Sequence, residues 1–133
     1  MISKSTFHFW SRIFWVLLLL GAGLSHFVLD DFLLAQMPPY MPHPTMLIYL
    51  SGVAELILAA GLIYPATRGV SWYMIAAMCV VYLPVHWHVA IDCAALAEVN
   101  SGYHIPCWLA WLRLPIQLLF IIWALYMAPA SAK

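Results

Sequence analysis

Charge is what this chain holds least of. Only 8% of its 133 residues are charged, and five basic side chains balance five acidic ones. Soluble domains carry about 25% charged residues, so an ordinary water-exposed surface is excluded. The neutral balance also leaves out the basic footprint that nucleic acid requires and a polybasic run for anionic lipid. Cysteine is scarce as well. There are three, with no C-x-x-C pair, which argues against a dithiol oxidoreductase working by itself. No H-x-x-x-H pair supplies the core of a metal site, so no metal is expected. Low-complexity tracts are missing, and the two halves show no sequence repeat.

What is present is apolar. Hydrophobic residues make up 66% of the chain, with seven Trp and seven Tyr, residues that favour the membrane interface. A single domain over residues 1–133 is too small to hide that much apolar surface from water. Crossing a hydrocarbon core of ~30 Å takes about 20 helical residues. Four runs qualify: Phe9 to Leu29, Met46 to Tyr64, Val70 to Ile91 and Cys107 to Met127. Helix is the conformation to expect, because a lone strand leaves its backbone unpaired in lipid. The fold expectation is therefore an all-α, four-transmembrane-helix bundle. The first run is read as an uncleaved helix rather than a signal peptide, since three more spans follow it.

The connections differ in kind. Pro65-Ala66-Thr67-Arg68-Gly69 reads as a tight turn. Asp30 to Thr45 holds Pro38, Pro39, Pro42 and Pro44 and reads as an ordered, non-helical cap. Asp92 to Pro106 is the second long loop, with a turn signal at Asn100-Ser101-Gly102. Lys4, Arg12, Arg68 and Lys133 all fall on one side of a four-span topology, which the positive-inside rule makes cytoplasmic, with both termini. Asp30, Asp31, Asp92 and Glu98 fall on the other.

Ionisable residues inside spans cost about 2.5–3.5 kcal/mol each at a helix centre on insertion scales. This chain keeps several. At 1.5 Å per residue, Glu55 lies roughly 13 Å below the outer boundary and Arg113 about 9 Å below it. His26 and His88 lie near the outer ends of their helices, and Gln117 is one turn past Arg113. All five sit in the outer half, as an outward-facing polar pocket would require. His26 with Asp30 and His88 with Asp92 are spaced i,i+4, so each carboxylate can orient its ring. His86 and His88 point to opposite faces unless Pro84 breaks the helix. The plainer readings stay open. Glu55 and Arg113 can be a buried ion pair between the second and fourth helices, and the histidines can be interfacial rather than ligating. Small residues at Gly21 and Ser25, and at Ser51, Gly52, Ala59 and Ala60, mark expected helix contacts. Cys93 and Cys107 flank the second loop, where an oxidising compartment would allow a disulfide.

Several motifs match a known pattern in order along the chain. They are Gly23-Leu24-Ser25-His26-Phe27, Pro38-Pro39-Tyr40-Met41-Pro42 and Tyr49-Leu50-Ser51-Gly52-Val53-Ala54-Glu55. Pro84-Val85-His86-Trp87-His88 and Trp111-Leu112-Arg113-Leu114-Pro115-Ile116-Gln117 follow. On these pieces the chain resembles the DoxX-like family of small bacterial membrane proteins. The resemblance implies a four-helix bundle in the bacterial cytoplasmic (inner) membrane and a link to quinone-coupled redox. His86 departs from that pattern, where Asn is expected, and Cys93 and Cys107 are additions to it. The candidate pocket set is His26, Glu55, His88, Arg113, Gln117, Tyr40, His86 and Asp92. A quinone is the cofactor to expect. The bilayer is the expected partner, with a membrane redox complex or a second copy beside it, and no nucleic acid. Two further readings compete: a non-catalytic subunit or assembly factor, and a binder or transporter of a small ligand, lipid or metal.

Overall fold

The computed structural model describes residues 3–99 and 105–129. The order of elements is α1 (Lys4–Val28), α2 (Asp30–Leu34), α3 (Pro44–Ile63), α4 (Arg68–Ile91), α5 (Cys93–Val99) and α6 (Cys107–Met127). Among the described residues there is no strand. Helices α1, α3, α4 and α6 are long and apolar enough to cross a membrane. Helix α1 starts five residues earlier than its apolar run, because the Ser3 hydroxyl caps it by accepting from the Thr6 N–H at 3.2 Å. Helices α4 and α6 run unbroken through Pro84 and Pro115. Pro84 therefore makes no break that would bring His86 and His88 to one face.

Both long connections depart from expectation by containing helix. Asp30–Leu34 forms a turn and a half before the first proline of the segment, because nothing in that stretch lacks an N–H. Cys93–Val99 does the same in the second loop. The Asn100-Ser101-Gly102 signal and His104 lie outside the described residues. His43 takes a left-handed conformation (φ 50°) immediately before Pro44, which occupies the first turn of α3 and is preset for it. Cys93 and Cys107 are joined by a disulfide, with Cα atoms 5.3 Å apart, tying the start of α5 to the start of α6.

Packing runs in two pairs, α1 on α3 and α4 on α6, joined by the contact of α3 with α4. Close approach of α1 and α3 depends on glycine. A Cβ at Gly52 would stand 2.7 Å from the His26 Cβ and 2.9 Å from the Gly23 carbonyl oxygen. Gly21, expected at this contact, faces open space, with nothing within 4 Å of the Cβ it lacks. The contacting face of α1 carries Gly23, His26 and Phe27, a spacing offset by two residues from the expected pair.

One core fills the end of the bundle that carries the first residues of α1, the α3–α4 turn and the last residues of α6. There Trp15 meets Trp72, Phe120 and Trp123 with ring centroids 6.2, 5.0 and 5.9 Å apart. A smaller apolar cluster of Val89, Ala90, Cys93 and Ala110 lies at the opposite end of α4 and α6. The polar cavity opens at that same opposite end.

Candidate functional site

A cavity of about 410 Å³ lies between α1, α3, α4 and α6. The segment following α1 closes it from above, with Leu33, Gln36, Met37 and Met41 on the wall and Pro38 fully buried behind them. The proline-rich connection is thus an ordered cap on the cavity. Its prolines limit the chain to extended and turn conformations, so the segment is held across the helix ends at low conformational cost.

Two polar walls face each other inside. On one, Glu55 is 4% exposed and accepts from the Tyr82 hydroxyl at 2.9 Å. His26 Nε2 stands 3.6 Å from the same carboxylate oxygen, close enough for an ion pair when the ring is protonated. On the other, the Arg113 guanidinium donates to the Gln36 side-chain oxygen at 3.1 Å. Gln36 is itself oriented by donating from Nε2 to the Phe32 carbonyl at 3.0 Å. His86 also lines the cavity. Among the described residues the buried atoms Glu55 Oε2, His26 Nδ1 and His86 Nδ1 find no hydrogen-bond partner. Leaving such groups bare costs free energy, which a bound polar group would recover.

Glu55 and Arg113 do not form the ion pair that their positions suggested. The ion pairs among the described residues are His26–Glu55 and His88–Asp92. The reason is register. Glu55 sits where the glycine contact brings His26 against α3, while Arg113 reaches up to the cap. Arg113 is left as a partly buried cation with an uncharged amide for a partner. A buried charge of this kind is stable only with hydrogen bonds or a counter-charge.

The structure brings His26, Glu55, His86 and Arg113 of the candidate set to the cavity. It places the rest elsewhere. His88 Nδ1 bonds the Asp92 carboxylate at 2.8 Å, one turn on along α4, and neither lines the cavity. Gln117 Nε2 donates to the Cys79 carbonyl at 2.8 Å and fastens α6 to α4. Tyr40 is 67% exposed. Asp30 does not orient His26. Its carboxylate accepts from the Tyr49 hydroxyl at 2.6 Å, and that bond holds the Asp30 carboxyl below the usual carboxylate range.

Tyr82, Gln36 and Ser51 line the cavity and are not among the pocket candidates that the sequence offers, Ser51 being expected there only as a small residue at a helix contact. A signal existed for two of them. Ser51 with Glu55, and Tyr82 with His86, are i,i+4 pairs that make polar stripes on otherwise apolar helices. Gln36 carried no such periodicity, because it lies in the cap and not in a span. Among the described residues no three His, Cys, Asp or Glu side chains come together as metal ligands.

The chain belongs to the family described as Domain of unknown function (DUF8561), whose sequence profile matches residues 16–128. This corrects the resemblance to DoxX-like proteins, which that match does not support. The short motifs behind the resemblance combine small residues at helix contacts, prolines near helix ends and a few buried polar groups. Any bundle of four apolar helices with an internal polar site has use for these, so they do not discriminate one family from another. No curated protein and no solved structure matches the chain.

Proposed function

We propose that this member of an uncharacterised family is a membrane protein that binds the oxygen-bearing head of an apolar ligand of the quinone class. The observation that carries this reading is Arg113, a cation on the cavity wall with no carboxylate in ion-pairing range among the described residues. A carbonyl or phenolate oxygen placed against it would gain a charge-assisted hydrogen bond. Across the cavity, His26, Glu55 and Tyr82 form a hydrogen-bonding wall able to give or take a proton at a second ring oxygen. Leu33, Met37, Met41 and Leu47 supply the apolar surface that a ring requires. Val81 both lines the cavity and is 68% exposed at the bundle surface, so a tail has a lateral way out to lipid.

The four basic side chains Lys4, Arg12, Arg68 and Lys133 support an orientation with both termini in the cytoplasm and the cavity in the outer half of the bilayer. On this reading the protein is a ligand-holding component of a membrane redox assembly. Electrons would pass through a partner, and this chain would position the head group and exchange its protons.

The test is a titration of purified protein in lipid nanodiscs with a short-chain quinone analogue, followed by thermal unfolding. Ligand at a hundred times its Kd should stabilise the fold by about 2.7 kcal/mol. Arg113→Met should lose most of that stabilisation, and Tyr82→Phe a smaller part. A wild-type melting curve that does not move with saturating quinone or quinol would refute the proposal.

A further inference from the structure

A second cavity, of about 520 Å³, lies at the end of the bundle remote from the quinone-class site. Its walls come from three parts of the chain: the start of α1, the start of α4, and the residues that follow α6. Three side chains that are or can be cationic face it, namely His8 and Arg12, one turn apart on α1, and Arg68 on α4. Trp72 and Met127 give it an apolar floor.

The two arginines are placed where they repel. Both line the same cavity, Arg12 from α1 and Arg68 from α4. Arg68 cannot swing away freely, because its Nε and one terminal nitrogen donate to the carbonyls of Leu62 and Ile63 at 3.1 and 3.3 Å. These bonds cap the end of α3. Arg12 rests over the Phe9 ring, 5.6 Å from its centre, on the surface of α1. Among the described residues no carboxylate lines the cavity. The chain has five acidic residues, Asp30, Asp31, Glu55, Asp92 and Glu98. None of them lines this cavity, and none belongs to the elements that form its walls within a turn of it. Gly69 places the positive end of α4 on the same wall.

We infer that this cavity binds a phosphate group, either that of an anionic lipid head or that of a free phosphorylated molecule. The chemistry favours phosphate over carboxylate. A carboxylate presents two oxygens in one plane, whereas a phosphate presents three or four in different directions. Here the donors converge from α1 on one side and α4 on the other, and guanidinium matches phosphate oxygens in pairs. The volume exceeds that of a phosphate alone and leaves room for the group that carries it. The site also lies at the end of the apolar helices, where the head groups of a bilayer would be. The neutral balance of the whole chain does not oppose this, because Lys4, Arg12 and Arg68 lie at this end, while Arg113 and the side chains of Asp30, Asp31, Glu55 and Asp92 lie toward the other.

The test uses the full chain in nanodiscs of phosphatidylcholine, with or without phosphatidic acid, and native mass spectrometry to count retained lipid. Inorganic phosphate is added in a separate arm. Wild type should retain phosphatidic acid over phosphatidylcholine, and Arg12→Gln should lower that preference about tenfold or more, the loss of a charge-assisted hydrogen bond inside the cavity. Lys4→Gln, on the same end but outside the cavity, should leave the preference unchanged. If Arg12→Gln does not fold, His8→Glu, which reverses the field inside the cavity, should lower it in the same direction. Stabilisation by inorganic phosphate without lipid preference would assign the site to a free phosphorylated ligand. An equal loss in Lys4→Gln would reveal a diffuse charge effect and overturn the inference, as would the absence of any response to either probe.

Discussion

The two ends of this bundle are built from the same four helices and do opposite things with them. At the end carrying the α3–α4 turn, Trp15, Trp72, Phe120 and Trp123 fill the space between helices. At the other end the inward positions hold His26, Ser51, Glu55, Tyr82 and His86, and a cavity remains. Helix spacing does not account for the difference, since glycine draws α1 and α3 together beside the cavity. Side-chain volume and polarity do. Large rings consume the volume between the helices at one end and leave only the cavity beyond Trp72, while polar groups at the other need partners, and a ligand can be one of them. The bundle therefore has one end whose interior is packed by rings, with open space only beyond Trp72 and Met127, and one end whose interior itself is hollow.

The comparison breaks most visibly at the packed end. Trp15→Ala should cost about 3–5 kcal/mol, because the three neighbouring rings cannot collapse into the void. Leu47→Ala, on the cavity wall, should cost under about 1 kcal/mol on the same argument, since it enlarges a space that already exists. Thermal or denaturant unfolding in one detergent checks both, and similar losses would show that the cavity is as tightly packed as the ring-filled interior.

Glycine sharpens the picture next. Gly52→Ala should destabilise by about 1–3 kcal/mol through overpacking against His26 and Phe27. Gly21→Ala meets nothing within 4 Å and should be neutral or slightly stabilising, by up to about 1 kcal/mol from helix propensity. Equal effects at the two positions would mean that α1 packs on a different face.

A third experiment separates the two polar walls. Glu55 bonds Tyr82, and Arg113 bonds Gln36. In double-mutant cycles, Glu55→Gln with Arg113→Met should be additive within about 0.5 kcal/mol, whereas Gln36→Leu with Arg113→Met should show coupling beyond that. Strong coupling of Glu55 with Arg113 would restore the direct ion pair that the sequence suggested.

The smallest effect concerns Asp30, at the rim of the hollow end. Its carboxyl is held below the usual range by the Tyr49 hydroxyl. A group whose value is lowered on folding contributes its stability above the ordinary carboxylate value and loses it as pH falls through the lowered one. Wild type should therefore lose a slight stability increment below about pH 4 that Tyr49→Phe lacks throughout. Identical acid limbs for the two proteins would deny the bond any role. The increment is slight because the pair is exposed and water competes for both groups.

Much of the fold was legible because each spanning helix is a local event. Twenty apolar residues in a row leave a backbone in lipid no choice but to bond within its own segment, and the run Cys107–Met127 matches its helix end for end. Half of the pocket set was legible for a related reason. His26, Glu55, His86 and Arg113 are costly anywhere but inside a bundle, so their presence in apolar runs announced an interior site. Depth along a helix also follows from counting residues, and this grouped the set at one end.

The amino-acid order by itself determined the four apolar helices, the placing of Lys4, Arg12 and Arg68 at one end, and a polar interior at the other. Only the tertiary structure decided which polar groups meet. Rotation of one helix about its axis, and its closeness to the next, depend on contacts between distant segments. Gly52 admitting His26, and Gln36 arriving from the cap to meet Arg113, are such contacts. That is why His88, Gln117 and Asp92, which share composition and depth with the true lining residues, turned away to Asp92, Cys79 and His88. The same contacts made Arg113 a cation without a carboxylate, and this single pairing choice separates a structural ion pair from a site with room for a ligand.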